Sequence, residues 1–377
     1  MSGSRLPTTP EQLTVEKLNE VIATVDPSAL LDGFEVLESH VYGSGVVSTA
    51  SRIVIAPRWR TPSADLPTSV VMKIAHREPE DSSEPGLPPA AARALYENEA
   101  AIYLKLRPWE VCEAPRAFGA AYDDASITQL IILEDLRERG ATFPAVTAEV
   151  PLAQVESLVD ELAALHARYW NSPELGTSLS WMQHHTRGTI YDMFSSPQGV
   201  IHGVTHEVEA VQFKREMVQR MGQTTHSLFG QFMRLQRHQA RLPQTVCHGD
   251  THIANTYRLP GNKAGLLDWQ LSSIGFGMHD LSYFLATSQS VADRRRNEHD
   301  QLARYRERLL QHGAKDVPSA GQLWLEYRRA MAWGVFIGWL PTPVVNYGWE
   351  VNVMAHLRVM TAYEDCETAA ALADLDD

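Results

Sequence analysis

Cysteine is scarce in this chain. Its 377 residues hold three, Cys112, Cys247 and Cys366, an odd number without metal-ligand spacing, which points to a reducing cytoplasm. Basic residues are in deficit too: 33 Lys and Arg stand against 46 Asp and Glu, giving a formal charge of −13 with no basic block to offset it. Nucleic-acid phosphates require clustered Lys and Arg, so this balance argues against a nucleic-acid partner and mildly favours a cationic or neutral one. The N-terminal MSGSRLPTTPEQLTVEKLNEV has neither the apolar core of a signal peptide nor the Arg-rich character of a transit peptide. One stretch, Ala330 to Trp349, carries no formal charge and is long enough to span a membrane. Pro341, Pro343 and Asn346 interrupt it and three glycines weaken it, so a buried helix ending near Leu340, followed by a turn, is the better reading.

What is present concentrates between Val246 and Gln270, VCHGDTHIANTYRLPGNKAGLLDWQ. Asp250, Asn255 and Asp268 read as one constellation. Phosphoryl transfer from a metal-held nucleotide needs such a set: one carboxylate beside the acceptor hydroxyl, and a carboxylate with an amide oxygen to hold hard cations against phosphates. Ala254, Tyr257 and Leu259 lead into a Pro-Gly-Asn turn, and Ala264, Leu266 and Leu267 lead out of it. A hairpin of that kind would return Asp268 to the neighbourhood of Asp250 and Asn255.

HGDTHIAN resembles the catalytic loop of the aminoglycoside phosphotransferase and choline kinase branch of the protein-kinase-like fold, and LLDWQ resembles the metal-binding DFG element of kinases. The glutamine after the aromatic, and the GFGMHDLSYFLATS that follows, are similar to the ecdysteroid-kinase-like (CHK kinase-like) subgroup. The resemblance covers about Phe34 to Tyr363. It implies an α+β, two-lobed protein-kinase-like fold, with an N-lobe antiparallel sheet bearing one helix and a mainly helical C-lobe. It also implies ATP and Mg2+ as cofactors, Asp250 as the base, and Asn255 and Asp268 as metal ligands. Neither HRD nor an APE-terminated activation segment is found, so protein substrates are disfavoured. By the same resemblance His248 is a scaffold residue, while His252 is left open between touching phosphate and pointing to solvent.

Ahead of this stretch, residues 1–30 read as a polar leader with a short amphipathic helix capped by Thr14, residues 31–136 as the N-lobe, and residues 137–377 as the helical C-lobe with the catalytic loop. Three antiparallel strands run from Phe34 to Ile74. Between the first two, Gly43, Ser44, Gly45 and Ser48 resemble the glycine-rich loop that covers nucleotide phosphates in kinases, although an ordinary hairpin turn would read alike. Lys73 sits inside the apolar run SVVMKIA and needs an anionic partner. The resemblance puts it on the nucleotide phosphates, paired with Glu99 of a helix over Ala90 to Leu106, or alternatively with Glu97. Arg77 to Pro89 reads as a surface loop, and two more strands follow around Arg116 to Ala121 and Ile127 to Leu133. Glu134 and Leu136 then resemble the family's hinge, whose main-chain groups bond the adenine edge.

Later, VESLVDELAALHARYW presents one apolar face, with His166 expected to be structural. Residues 171 to 215 are irregular, Phe213 to Leu242 is expected to form one helix, and Asp280 is expected to cap the helix it opens. Three more helices are expected from Asp293 onward, with Arg294, Arg295 and Arg296 on a solvated face. Together these readings predict a cytoplasmic phosphotransferase acting on a hydroxyl of a small molecule, an aminoglycoside-like antibiotic or a choline-like or sterol-like alcohol. The alternative is a catalytically silent nucleotide-binding pseudokinase.

Overall fold

Alternating apolar residues organise the first of two compact units, residues 1–142 and 143–377. The computed structural model describes residues 5–40, 50–77, 89–196 and 200–375. Gly43, Ser44, Gly45 and Ser48 lie outside the described residues. In the first unit, β1 (Leu31–His40), β2 (Ser51–Trp59), β3 (Val70–His76), β4 (Ala117–Asp123) and β5 (Thr128–Glu134) form one antiparallel sheet in the order β1-β2-β3-β5-β4.

Because side chains alternate across a strand, β3 has two different faces. Val70, Met72 and Ile74 point one way and join Ile53, Ile55, Leu130 and Ile132 in a buried cluster. The leader closes that cluster: α1 (Val15–Ile22), capped by Thr14 accepting from the Lys17 N–H at 3.2 Å, contributes Leu18, Val21 and Ile22. Helix and strand backbones approach closely at Gly119 in β4, where a Cβ would meet the Val21 carbonyl oxygen at 2.6 Å. Lys73 occupies the other face of β3. There it meets α2 (Pro89–Ala101), which continues into one π-helical turn over Ile102–Leu106.

The second unit is mainly helical. Its helices are α3 (Leu152–Tyr169), α4 (Thr189–Ser195), α5 (Val200–Ala210), α6 (Gln212–Arg220), α7 (Thr225–Gln239), α8 (Met278–Ser288), α9 (Val291–Gln311), α10 (Ala320–Trp333), α11 (Val344–Asp365) and α12 (Thr368–Ala373). Two short antiparallel pairs carry the motif stretch: β6 (Thr245–Cys247) with β9 (Ser273–Gly275), and β7 (Thr256–Arg258) with β8 (Ala264–Leu266).

Four expectations are corrected. The single helix over Phe213 to Leu242 is two, because Gly222 takes a left-handed turn (φ 66°) and Thr224 with Ser227 builds a fresh capping box for α7. The irregular region before it contains α4 and α5. Arg294 is not solvated: it is 1% exposed and paired with Glu298 at 2.7 Å and with Asp365, which also receives Arg295. Among the described residues four helices, not three, occupy the C-terminal part, since α12 follows α11. The uncharged stretch ends α10 in a π-helical segment, Gly334–Trp339, and breaks before α11; among the described residues no helix is long and apolar enough to cross a membrane.

Since Leu18 is fully buried between leader and sheet, Leu18→Ala is expected to lower the unfolding free energy by about 2–5 kcal/mol, read as a reduced urea midpoint of the full chain.

Candidate active site

The loop after β6 begins with a backbone that only glycine fits. Gly249 adopts φ 91°, and a Cβ there would come 2.1 Å from the Leu271 carbonyl oxygen. Asp280, in the first turn of α8, holds this loop. Its carboxylate accepts from the His248 N–H at 2.6 Å, the Gly249 N–H at 2.8 Å and the His166 ring at 3.1 Å. Thr251 donates its hydroxyl to the Asp280 carbonyl at 2.7 Å. The expected capping role is therefore corrected: the carboxylate turns away from its own helix and binds the loop's orphan amides. Burial alone would raise the pKa of Asp280, but the His166 hydrogen bond and the surrounding imidazoles hold it well below the usual carboxylate range. His166 is held in turn by the Tyr305 hydroxyl at 2.7 Å.

His248 joins the two ends of the motif stretch. Its Nδ1 accepts from the Asp250 N–H at 3.2 Å, so its Nε2 donates to the Leu267 carbonyl at 2.8 Å. Burial lowers its pKa, with the Asp280 and Asp250 charges opposing. A second tie runs from the Leu267 N–H to the Asn255 carbonyl at 2.8 Å, continuing the β7–β8 register of Thr256 opposite Leu266. The hairpin thus delivers Asp268 beside Asn255. Asp268 itself sits at φ 61°, a left-handed conformation that costs a non-glycine residue on the order of 1–3 kcal/mol.

Asp250 stands beside both. The Asn255 amide donates to the Asp250 carbonyl at 2.9 Å and to its Oδ2 at 3.0 Å, which turns the Asn255 Oδ1 away. Burial raises the pKa of the Asp250 carboxyl above its ordinary value and the Asp268 charge adds to this, with His252 opposing from 3.7 Å. Aromatic rings continue outward. His252 lies 6.4 Å from Tyr283 and 6.2 Å from Trp339, which lies 5.8 Å from Tyr347. Burial, then the charges of Asp250 and Asp268, push the pKa of the Tyr347 hydroxyl up to about 12.

In the first unit, Lys73 Nζ pairs with Glu99 Oε1 at 2.8 Å, and the Gln129 amide donates to Glu99 Oε2 at 2.7 Å. Glu99 is 2% exposed, whereas Glu97 faces solvent. The Glu134 N–H donates to the Arg116 carbonyl at 2.9 Å, and its side chain accepts from the Arg116 N–H and Arg139. The Leu136 carbonyl accepts from the Ala141 N–H at 3.1 Å. Sequence reasoning missed the clamp by Asp280 and the part of Gln129, though a lone amide in the apolar run TQLIIL was a visible signal for the latter.

Asn255 Oδ1 and the Asp268 carboxylate are hard oxygen donors, the set that magnesium takes. His166, Cys247 and Asp280 also lie close enough together to hold a metal ion. Burial pushes the pKa of the Cys247 thiol up and so disfavours the thiolate that would ligate, and both His166 nitrogens already face hydrogen-bond partners.

No curated sequence matches the chain. Among solved structures, choline kinase from Cryptosporidium parvum Iowa II is similar over 89% of this chain and 89% of its own, with 11% identity and a TM-score of 0.52. Ethanolamine kinase from Plasmodium vivax is similar over 92% of this chain and 85% of its own, with 12% identity and a TM-score of 0.51. These likenesses establish the protein-kinase-like fold. A sequence model of the ecdysteroid kinase-like family matches residues 47–315, which include Lys73, Glu99, the whole motif stretch and Asp280, and the chain therefore belongs to that family of kinase-like proteins.

Proposed function

We propose that this chain is an ATP- and magnesium-dependent phosphotransferase that phosphorylates a hydroxyl of a small molecule. The observation that carries the proposal is the convergence of Asp250, Asn255 and Asp268 through one hairpin, with the Asn255 amide bonded to the Asp250 carboxylate. Asp250 orients the acceptor hydroxyl and takes its proton; the raised basicity of its buried carboxylate suits that task. Asn255 Oδ1 and Asp268 hold magnesium, which when bound neutralises charge developing on the phosphates. Lys73, paired with Glu99, contacts the nucleotide phosphates. The Glu134 carbonyl and the Leu136 N–H meet the adenine edge. A cytoplasmic setting fits three free cysteines, all buried.

The acceptor is an apolar alcohol. Outward from Asp250 the rings run from His252, 3.7 Å from its carboxylate, to Tyr283, Trp339 and Tyr347, and rings of this kind favour flat apolar surface over the several ammonium groups of an aminosugar.

ATP consumption by the pure protein across sterols, choline-like amines, macrolides and aminoglycosides tests the reading. Turnover is expected with the apolar alcohols, and silence across the panel despite tight magnesium–ATP binding would favour a pseudokinase instead. Asp250→Asn is expected to lower kcat by about 10²–10⁴-fold while nucleotide affinity, read by calorimetry, stays within a few-fold of wild type. Asp268→Ala should make nucleotide affinity insensitive to EDTA, whereas in the wild type the chelator weakens it. Asp280→Ala leaves two loop amides and His166 without their acceptor, so turnover should fall together with a stability loss of about 3–5 kcal/mol, measured by thermal unfolding.

A further inference from the structure

Lys214 of α6 is a charged side chain with no exposure at all. Its ammonium donates to the Leu340 carbonyl at 3.1 Å, to the Thr342 carbonyl at 2.6 Å and to Glu207 of α5 at 2.9 Å. Burial lowers its pKa, with Glu207 opposing. The position explains the charge. The π-helical segment ends at Trp339, and Pro341 and Pro343 cannot donate, so the carbonyls of this break need an outside donor.

The break separates two rings of the acceptor wall. Trp339 precedes it and Tyr347 follows it, on the first turn of α11, and their centroids are 5.8 Å apart. Directly after Tyr347 the helix bends at Gly348, with φ 78° and ψ 169°. Nothing crowds a Cβ at Gly348, so the glycine serves the backbone angle alone. Beyond the bend, the Asn352 amide donates to the Gly348 carbonyl at 3.0 Å, and His356 Nδ1 donates to the Asn352 carbonyl at 2.6 Å. The neighbour of Lys214 grips this side: the Phe213 ring lies 5.8 Å from Trp349 and 5.2 Å from His356. Two consecutive residues of α6 therefore hold the chain on either side of Tyr347, Lys214 at the break before α11 and Phe213 beyond the bend at Gly348.

We propose that Lys214 is a positioning residue for the acceptor side of the site, fixing through the Leu340 and Thr342 carbonyls the break that presents Tyr347 beside Trp339. The proposal rests on the phosphotransferase reading for its consequence, but its geometry is separately testable. Lys214→Met keeps the length of the stem and removes all three donated bonds. With 3-fluorotyrosine incorporated and the Tyr347 signal assigned by Tyr347→Phe, the fluorine resonance of Tyr347 is expected to shift or broaden in Lys214→Met. For an apolar acceptor, kcat/KM should fall roughly 10- to 100-fold through KM, because misplaced contacts far from the chemistry act in this range, while KM for ATP stays within two-fold. Lys214→Arg, which keeps the charge, should recover part of the loss.

An unmoved Tyr347 signal and an unchanged acceptor KM in folded Lys214→Met would overturn the proposal. If Lys214→Met does not fold, Glu207→Gln leaves the lysine in place but removes its counter-charge. A shifted Tyr347 signal in that variant supports the proposal, and an unmoved one overturns it. A protein silent toward every acceptor whose Tyr347 signal still responds to Lys214 would remove the phosphotransferase reading and leave the clamp. An active enzyme whose signal ignores Lys214 would remove the clamp alone.

Discussion

A buried carboxylate answering to backbone amides is the constraint on which the candidate site depends. An ionised group in the interior is tolerated only when its charge is matched by donors. Asp280 finds them in His248, Gly249 and His166, and Tyr305 orients the last of these. The arrangement fixes the loop where its backbone is least ordinary, at the left-handed Gly249, and so determines the direction in which Asp250 leaves it. His248 then extends the same network to Leu267, so that the two motif clusters are held by one set of bonds. The charge of Asp280 is thus a structural device that acts one residue away from the proposed chemistry.

The first unit solves a different problem with the simplest periodicity available. Neighbouring residues of β3 face opposite ways, so Met72 enters an apolar cluster while Lys73 reaches Glu99. The lysine side chain is 15% exposed and that of its partner 2%. Gln129 occupies the remaining oxygen of Glu99, and the glutamate cannot swing away without leaving an amide unpaired. On the opposite face the leader helix belongs to the sheet's own core.

Much of this is legible in the sequence because it is local. Strand alternation marks the three leading strands, and the Pro-Gly-Asn turn between apolar runs marks the hairpin that joins Asn255 to Asp268. The family resemblance favours Glu99 over Glu97, and burial separates the two, Glu99 being buried and Glu97 exposed. What escapes depends on partners far away in sequence. Asp280 looks like a helix cap from its neighbours alone, because its true partners precede it by more than a full helix length. Arg294 looks solvated beside two further arginines until Asp365 folds back upon it. The break after Arg220 escapes for another reason. A glycine within a helical pattern is tolerated, and only the left-handed angle of Gly222 shows that it ends one helix before the Thr224 cap starts the next.

The strained angle at Asp268 has an evolutionary consequence. A residue held at φ 61° is comfortable as glycine and less so as anything with a Cβ, aspartate included. Glycine is one nucleotide away from either aspartate codon. A lineage released from selection on catalysis could therefore exchange the proposed metal ligand for a more stable backbone in one mutational step, keeping the fold while losing its chemistry. Persistence of aspartate at such a position is then informative about selection, since stability alone would favour its replacement.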